Sequence, residues 1–239
     1  MKMTYIGGSG PQVGVYANFN TTSDVEAAVT TYGWPGIAAT AGEGQSTSPY
    51  TYALQAAGQD TTVDQMIENA YAKVNFWWLS VWTVSGPSAS ATNAEWKSAM
   101  ETAASDVAAP TILKASETYG FVPAYVVLDL EGTYQPNSAG QAHAAIEGWI
   151  TGLGSELTGA LYINQSDFTT WDANSFGVPL FVAVDVADYT GPVTGSNIVG
   201  YMAFDGTCSD AGSQVSIIDQ WGANMNTIQF AESVYTCNS

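Results

Sequence analysis

Short runs of aliphatic, β-branched and aromatic residues alternate along this chain with stretches whose apolar residues recur every three or four positions. That alternation is the strongest constraint on the fold, because it calls for strands and helices in turn and hence a parallel α/β sheet. The strand-like runs are "VGVYANF" (13–19), "PGIAATAGEG" (35–44), "FWWLSVWTV" (76–84), "AYVVLDLEG" (124–132) and "GALYIN" (159–164). Between them, Ser23 with Glu26 and Thr92 with Glu95 have capping-box spacing. Gly33 ends the first helix, and Thr62 and Gln65 open the next. The helix after Thr92 is interrupted near Pro110 and ends at Gly120. Ala142, Ala145, Ile146, Trp149, Ile150 and Leu153 form one helical face, and Ser166 caps a short helix after the fifth strand. From there "PLFVAVDVA" (179–187), "NIVGYMAFDG" (197–206) and "QVSIID" (214–219) follow one another with little helix between them. Eight strands in this order predict a single (β/α)8-type barrel with few helices between the last three strands. One domain over 1–239 is expected, with residues 1–12, which include "GGSG", as a flexible leader. "MKMT" reads as a start methionine ahead of a mature sequence.

Charge narrows the partners. There are 22 acids against four lysines (Lys2, Lys73, Lys97, Lys114), no arginine, and a formal net charge of −18. A nucleic-acid ligand needs a basic face, which this chain cannot supply. Without arginine there is no bidentate fork for phosphate or carboxylate. No apolar run approaches the roughly 20 residues of a membrane helix, so no membrane insertion is expected. A neutral glycan is the partner easiest to reconcile with this surface; oligomeric state is not legible. Cys208 and Cys237 either close a loop of about 30 residues, a crosslink worth roughly 3–4 kcal/mol, or stand as two buried thiols, and the disulfide is the reading expected. With the scarcity of lysine, this points to a secreted or extracytoplasmic protein. Asn20 and Asn164 each open a glycosylation triplet.

The chemistry concentrates in "AYVVLDLEG". Side chains alternate along a strand, so Tyr125, Val127, Asp129 and Glu131 share one face and Val126, Leu128 and Leu130 the other. The second set would pack beneath helices. The first would point into the barrel and leave two carboxylates at the carboxyl end of the strand, where barrel enzymes keep their sites. Residues two apart on a strand are roughly 6–7 Å apart at Cα. Each charge raises the cost of ionising the other, so their pKa values should separate. Glycoside hydrolysis uses such a pair, one group protonating the leaving oxygen and the other remaining ionised. Capping of the following loop and metal binding produce the same Asp-x-Glu pattern.

"YVVLDLEG" resembles the fourth strand of the glycoside hydrolase family 25 lysozymes, whose barrel also has helices mainly in its first five units. "GIAATAGEG" is similar to that family's second strand with its Glu-Gly ending, "ALYIN" to the fifth, "PLFVAVDVADY" to the sixth and "GYMAFDG" to the seventh. The resemblance implies Glu131 as general acid and Asp129 as its partner carboxylate, holding charge or orienting an acetamido group. It implies Asp185 or Asp188 as the acid after strand six, and Tyr162 and Tyr201 as walls of a sugar groove. The family's first strand usually carries an acid in a Gly-x-Asp setting. Here Tyr16 stands there instead, as a groove residue. Related glycoside hydrolase-like barrels resemble the sequence as well, and family 18 chitinases carry a further upstream acid where this chain has Val127. The expected activity is therefore hydrolysis of peptidoglycan or another neutral or amino-sugar polysaccharide. The alternative is a barrel without catalysis that binds glycan or serves as a structural surface protein.

Other chemistries fit poorly. His143, the only histidine, falls inside a helix between Ala142 and Ala144, which leaves no serine or cysteine triad. One histidine and two distant cysteines do not make a zinc site. Metal and cofactor are expected to be none, although Asp129, Glu131, Asp185 or Asp205 would suit calcium. Most aromatic residues belong to the core, and Trp82, near the end of its strand, is the ring expected to stack on a sugar.

Overall fold

The computed structural model describes residues 12–17, 36–43, 77–119, 123, 125–185, 193–204 and 228–232. They form a mixed α/β structure on a parallel sheet. The strands are β1 (Gln12–Ala17), β2 (Gly36–Glu43), β3 (Trp77–Thr83), β4 (Tyr125–Asp129), β5 (Gly159–Asn164), β6 (Leu180–Asp185), β7 (Ile198–Phe204) and β8 (Ile228–Glu232). β3 to β7 lie side by side in chain order, all parallel. β2 pairs with β3 and with β1. β8 pairs with β7 and, at its other edge, with β1.

The described helices are α1 (Asn93–Ala103), α2 (Ala109–Tyr119), α3 (Ala139–Leu153) and the short α4 (Gln165–Thr170). Thr92 and Glu95 cap α1 reciprocally, side chain to backbone in both directions. The expected break near Pro110 is a π turn, Ala104–Ala108, between α1 and α2. Proline has no N–H for the carbonyl four residues back, and widening the turn relieves its ring against that carbonyl.

Two corrections concern element ends. The first strand begins at Gln12, inside the segment read as leader, because Gln12 already pairs with Ile228. The strand that joins β7 to β1 is "IQFAE", not "QVSIID"; residues 214–219 lie outside the described residues. "IQFAE" is short, lacks a strict apolar–polar alternation, and is set among Asn, Thr and Ser near the chain end. The helices expected after Ser23 and Thr62 lie outside the described residues too.

Packing shows two different faces on β4. Val126, Leu128 and Leu130 join Trp82, Leu161, Ile163, Leu180 and Val182 in one core cluster with Ala142, Ala145, Ile146, Trp149 and Leu153 of α3. Val81, Val127, Ala160, Phe181 and Ala183 are also buried but stand outside that cluster, on the opposite face of the sheet. The Trp149 indole N–H donates to the Val126 carbonyl at 3.1 Å, so its ring is buried with its polar atom satisfied. Complete burial of a large apolar side chain stabilises by on the order of 2–3 kcal/mol. Against α1, Gly148 of α3 comes so close that an added Cβ would lie 2.1 Å from the Lys97 carbonyl oxygen.

Candidate functional site

Register carries the carboxylates to the sheet's carboxyl edge. Thr83, Asp129, Tyr162 and Phe181 are successive partners across β3, β4, β5 and β6, so they share a face. That is the face of Val127 and Phe181, away from α3. Tyr125 and Phe181 meet edge to face there, with ring centroids 5.5 Å apart.

Asp129 is buried, only 6% exposed. Its Oδ2 accepts from the Thr83 hydroxyl at 2.7 Å, and its Oδ1 accepts from the Glu131 backbone N–H at 3.0 Å. Burial pushes its pKa above the ordinary carboxylate value of 3.8, and those two hydrogen bonds partly offset the rise. Asp129 thus folds its carboxylate back under the chain that carries Glu131.

The segment after β3 braces the same loop. Val84 N–H donates to the Asp129 carbonyl at 2.8 Å, and Gly86 N–H to the Tyr134 carbonyl at 2.8 Å. The Ser85 hydroxyl oxygen accepts from Thr133 N–H at 2.8 Å. Gly132 packs against this brace. An added Cβ would lie 2.3 Å from Ser85 Oγ and 2.6 Å from its Cα, so the glycine after Glu131 is set by a close chain crossing.

Glu131 is exposed and lines an open pocket of about 390 Å³, solvent mouth included, together with Gln135, Tyr162, Asn164, Asp167 and Trp171. Asp129 is not on its wall. Three of these residues come from the β5–α4 junction. Asn164, rather than Ser166, caps α4: its Oδ1 accepts from Asp167 N–H at 2.8 Å, and its Nδ2 donates to Asp167 Oδ2 at 2.7 Å. The glycosylation triplet at Asn164 therefore encodes a helix cap whose amide is already engaged.

Of the sequence-derived site residues, the structure brings Glu131 and Tyr162 to one pocket, with Asp129 tied to the Glu131 backbone. Two aromatic assignments are corrected. Trp82 is 2% exposed and faces the helix layer, its ring centroid 6.4 Å from that of Trp149. It pairs with Leu128, not with Asp129, so it stands on the face opposite the carboxylates. Tyr201 is also 2% exposed; it pairs with Val182 on the helix side, and its hydroxyl donates to the Val193 carbonyl at 2.6 Å. Neither ring is placed to stack on a sugar.

Tyr16 sits in β1 opposite Ala38 and Glu232, and Asp185 ends β6 opposite Phe204. Asp188, Asp205, Cys208 and Cys237 lie outside the described residues. His143 is in α3, stacked on Phe176 with ring centroids 4.9 Å apart. Sequence reading missed Asp167 and Trp171 as pocket residues. The available signal was Asn164-x-x-Asp167 at the end of a strand, a cap pattern that fixes where both side chains fall. It also passed over the register of Glu43, which ends β2 and pairs with Thr83 at the level of Asp129.

No protein-family model, curated protein or solved structure matches this chain. Among the described residues, no helix is long and apolar enough to cross a membrane.

Proposed function

We propose that the chain is a closed (β/α)8-type barrel of the glycoside hydrolase kind, acting outside the cytoplasm on a neutral or amino-sugar glycan such as peptidoglycan. Glu131 is its general acid and Asp129 the partner carboxylate. The observation that carries the reading is the placement of Glu131: exposed, past the carboxyl end of β4, on a pocket shared with Tyr162 and Trp171. Supporting it are the β1–β8 pairing, which fits closure of the sheet, and the resemblance of "YVVLDLEG" to the family 25 lysozyme strand. Asp129 works from beneath. By accepting from the Glu131 N–H it fixes the backbone that presents the acid, and its charge bears on the same strand end. Hydrolysis of a glycan panel by wild type beside Glu131→Gln tests this, since general-acid removal costs about 10²–10⁴-fold.

A second reading, a barrel that binds glycan without cleaving it, is favoured by one observation. Both Asp129 oxygens already hold donors from the protein. Glycan binding without hydrolysis, unchanged in Glu131→Gln, would be its signature.

A further inference from the structure

The wall of the pocket opposite β4 has its own carboxylate. Asp167 lines the pocket with Glu131, and one of its oxygens, Oδ2, is held by Asn164. Among the described residues no hydrogen bond engages its other oxygen. The grip is double, because the Asp167 N–H is also donated to Asn164 Oδ1, so the side chain is fixed from both ends of the residue. One turn further on, Trp171 closes α4, its N–H donating to the Asp167 carbonyl at 2.9 Å. Its ring packs partly against the core cluster and also lines the pocket.

A fixed carboxylate accepts hydrogen bonds and donates none, so its ligand must supply donors. An indole beside it offers an apolar surface of ring size. A pyranose meets both demands, with equatorial hydroxyls as donors and C–H groups on its faces. A cation meets only the first, and no group of three or more acidic, histidine or cysteine side chains that could hold one occurs among the described residues. We propose that Asp167 is the specificity-determining carboxylate of this pocket: it takes a hydroxyl of a pyranose ring whose face lies on Trp171. The proposal rests on the carbohydrate reading of the pocket, but on binding rather than on cleavage.

The test is calorimetric and fluorescence titration of the whole protein with two probes, cellotetraose and a β-1,4-linked N-acetylglucosamine tetramer. Wild type, Asp167→Asn, Trp171→Leu and Glu131→Gln are compared after circular dichroism confirms their folds. Asparagine keeps an acceptor for the Asn164 amide, and Trp171→Leu supplies an arm that does not depend on the cap. The expected result is binding weakened about tenfold or more in both Asp167→Asn and Trp171→Leu. In Glu131→Gln, hydrolysis should be lost. Where cleavage occurs, Asp167→Asn raises KM more than it lowers kcat. Binding by both variants within about twofold of wild type overturns the proposal, as does wild type that binds neither tetramer. Binding abolished by EDTA also overturns it, assigning the carboxylate to a cation. Tetramer binding without hydrolysis by wild type, sensitive to Asp167→Asn, removes the catalytic reading and leaves this one standing.

Discussion

The hydroxyl of Thr83 on β3 donates a 2.7 Å hydrogen bond to Oδ2 of Asp129 on β4. It comes from the residue directly in register with Asp129, on the same face of the sheet. Replacing Thr83 with valine keeps the shape and removes the donor, leaving a buried carboxylate oxygen short of a partner. The expected cost is about 1–3 kcal/mol of stability. It should appear as a lower denaturant midpoint at unchanged slope. The lost bond favours the ionised form, so the Asp129 pKa should move further up, as carboxyl NMR titration would register.

Asp129 also sets a pH dependence. Burial holds its folded pKa above the unfolded value, so the folded protein binds this proton more tightly than the unfolded chain. Its contribution to stability is full below the unfolded value and is lost as pH rises through the raised folded value. Asp129→Asn abolishes that loss. The new amide can donate to the Thr83 oxygen while its carbonyl accepts from Glu131 N–H. The variant should be more stable than wild type at neutral pH, with the advantage shrinking as pH falls through the raised folded value toward the ordinary carboxylate value. Melts across that range decide it; an advantage independent of pH would contradict the account.

Gly132→Ala tests the brace under the acid. Its Cβ would meet Ser85 at 2.3 Å and 2.6 Å, so the loop bearing Glu131 must shift. Stability should fall by about 1–3 kcal/mol. A displacement near 1 Å costs reaction rate on the order of 100-fold. Rate measured under conditions where the variant is fully folded separates the two effects.

Gly148→Ala sets two effects against each other. Alanine favours an isolated helix over glycine by about 1 kcal/mol. Here its Cβ would sit 2.1 Å from the Lys97 carbonyl, and overpacking of this kind costs about 1–3 kcal/mol. The melting temperature should therefore drop; a rise would show that α1 and α3 can move apart freely.

How far the sequence discloses this structure depends on whether the deciding force is local. The two faces of β4 follow from alternation alone, and Val126, Leu128 and Leu130 duly lie against α3. Capping at Thr92 and the face of α3 are equally local. Trp82 and Tyr201 were misread because a ring near the end of a strand looks available until register assigns its face, and register is a long-range property. The same holds for "IQFAE", whose place in the sheet depends on β1, more than 200 residues away. Asp129 was legible as a carboxylate at a strand end, but not as one tied to Thr83 and to the next turn. Asp167 and Trp171 were hidden because a helix cap looks structural until the pocket around it is seen.

The most direct test of the account is the rate of reducing-end release from peptidoglycan, chitin and neutral polysaccharides, from acidic to neutral pH. Wild type is compared with Glu131→Gln, both confirmed as folded. The account predicts hydrolysis of at least one polymer by wild type and a loss of about 10²–10⁴-fold in the variant. Hydrolysis unchanged by Glu131→Gln, or none by wild type on any polymer, would contradict it.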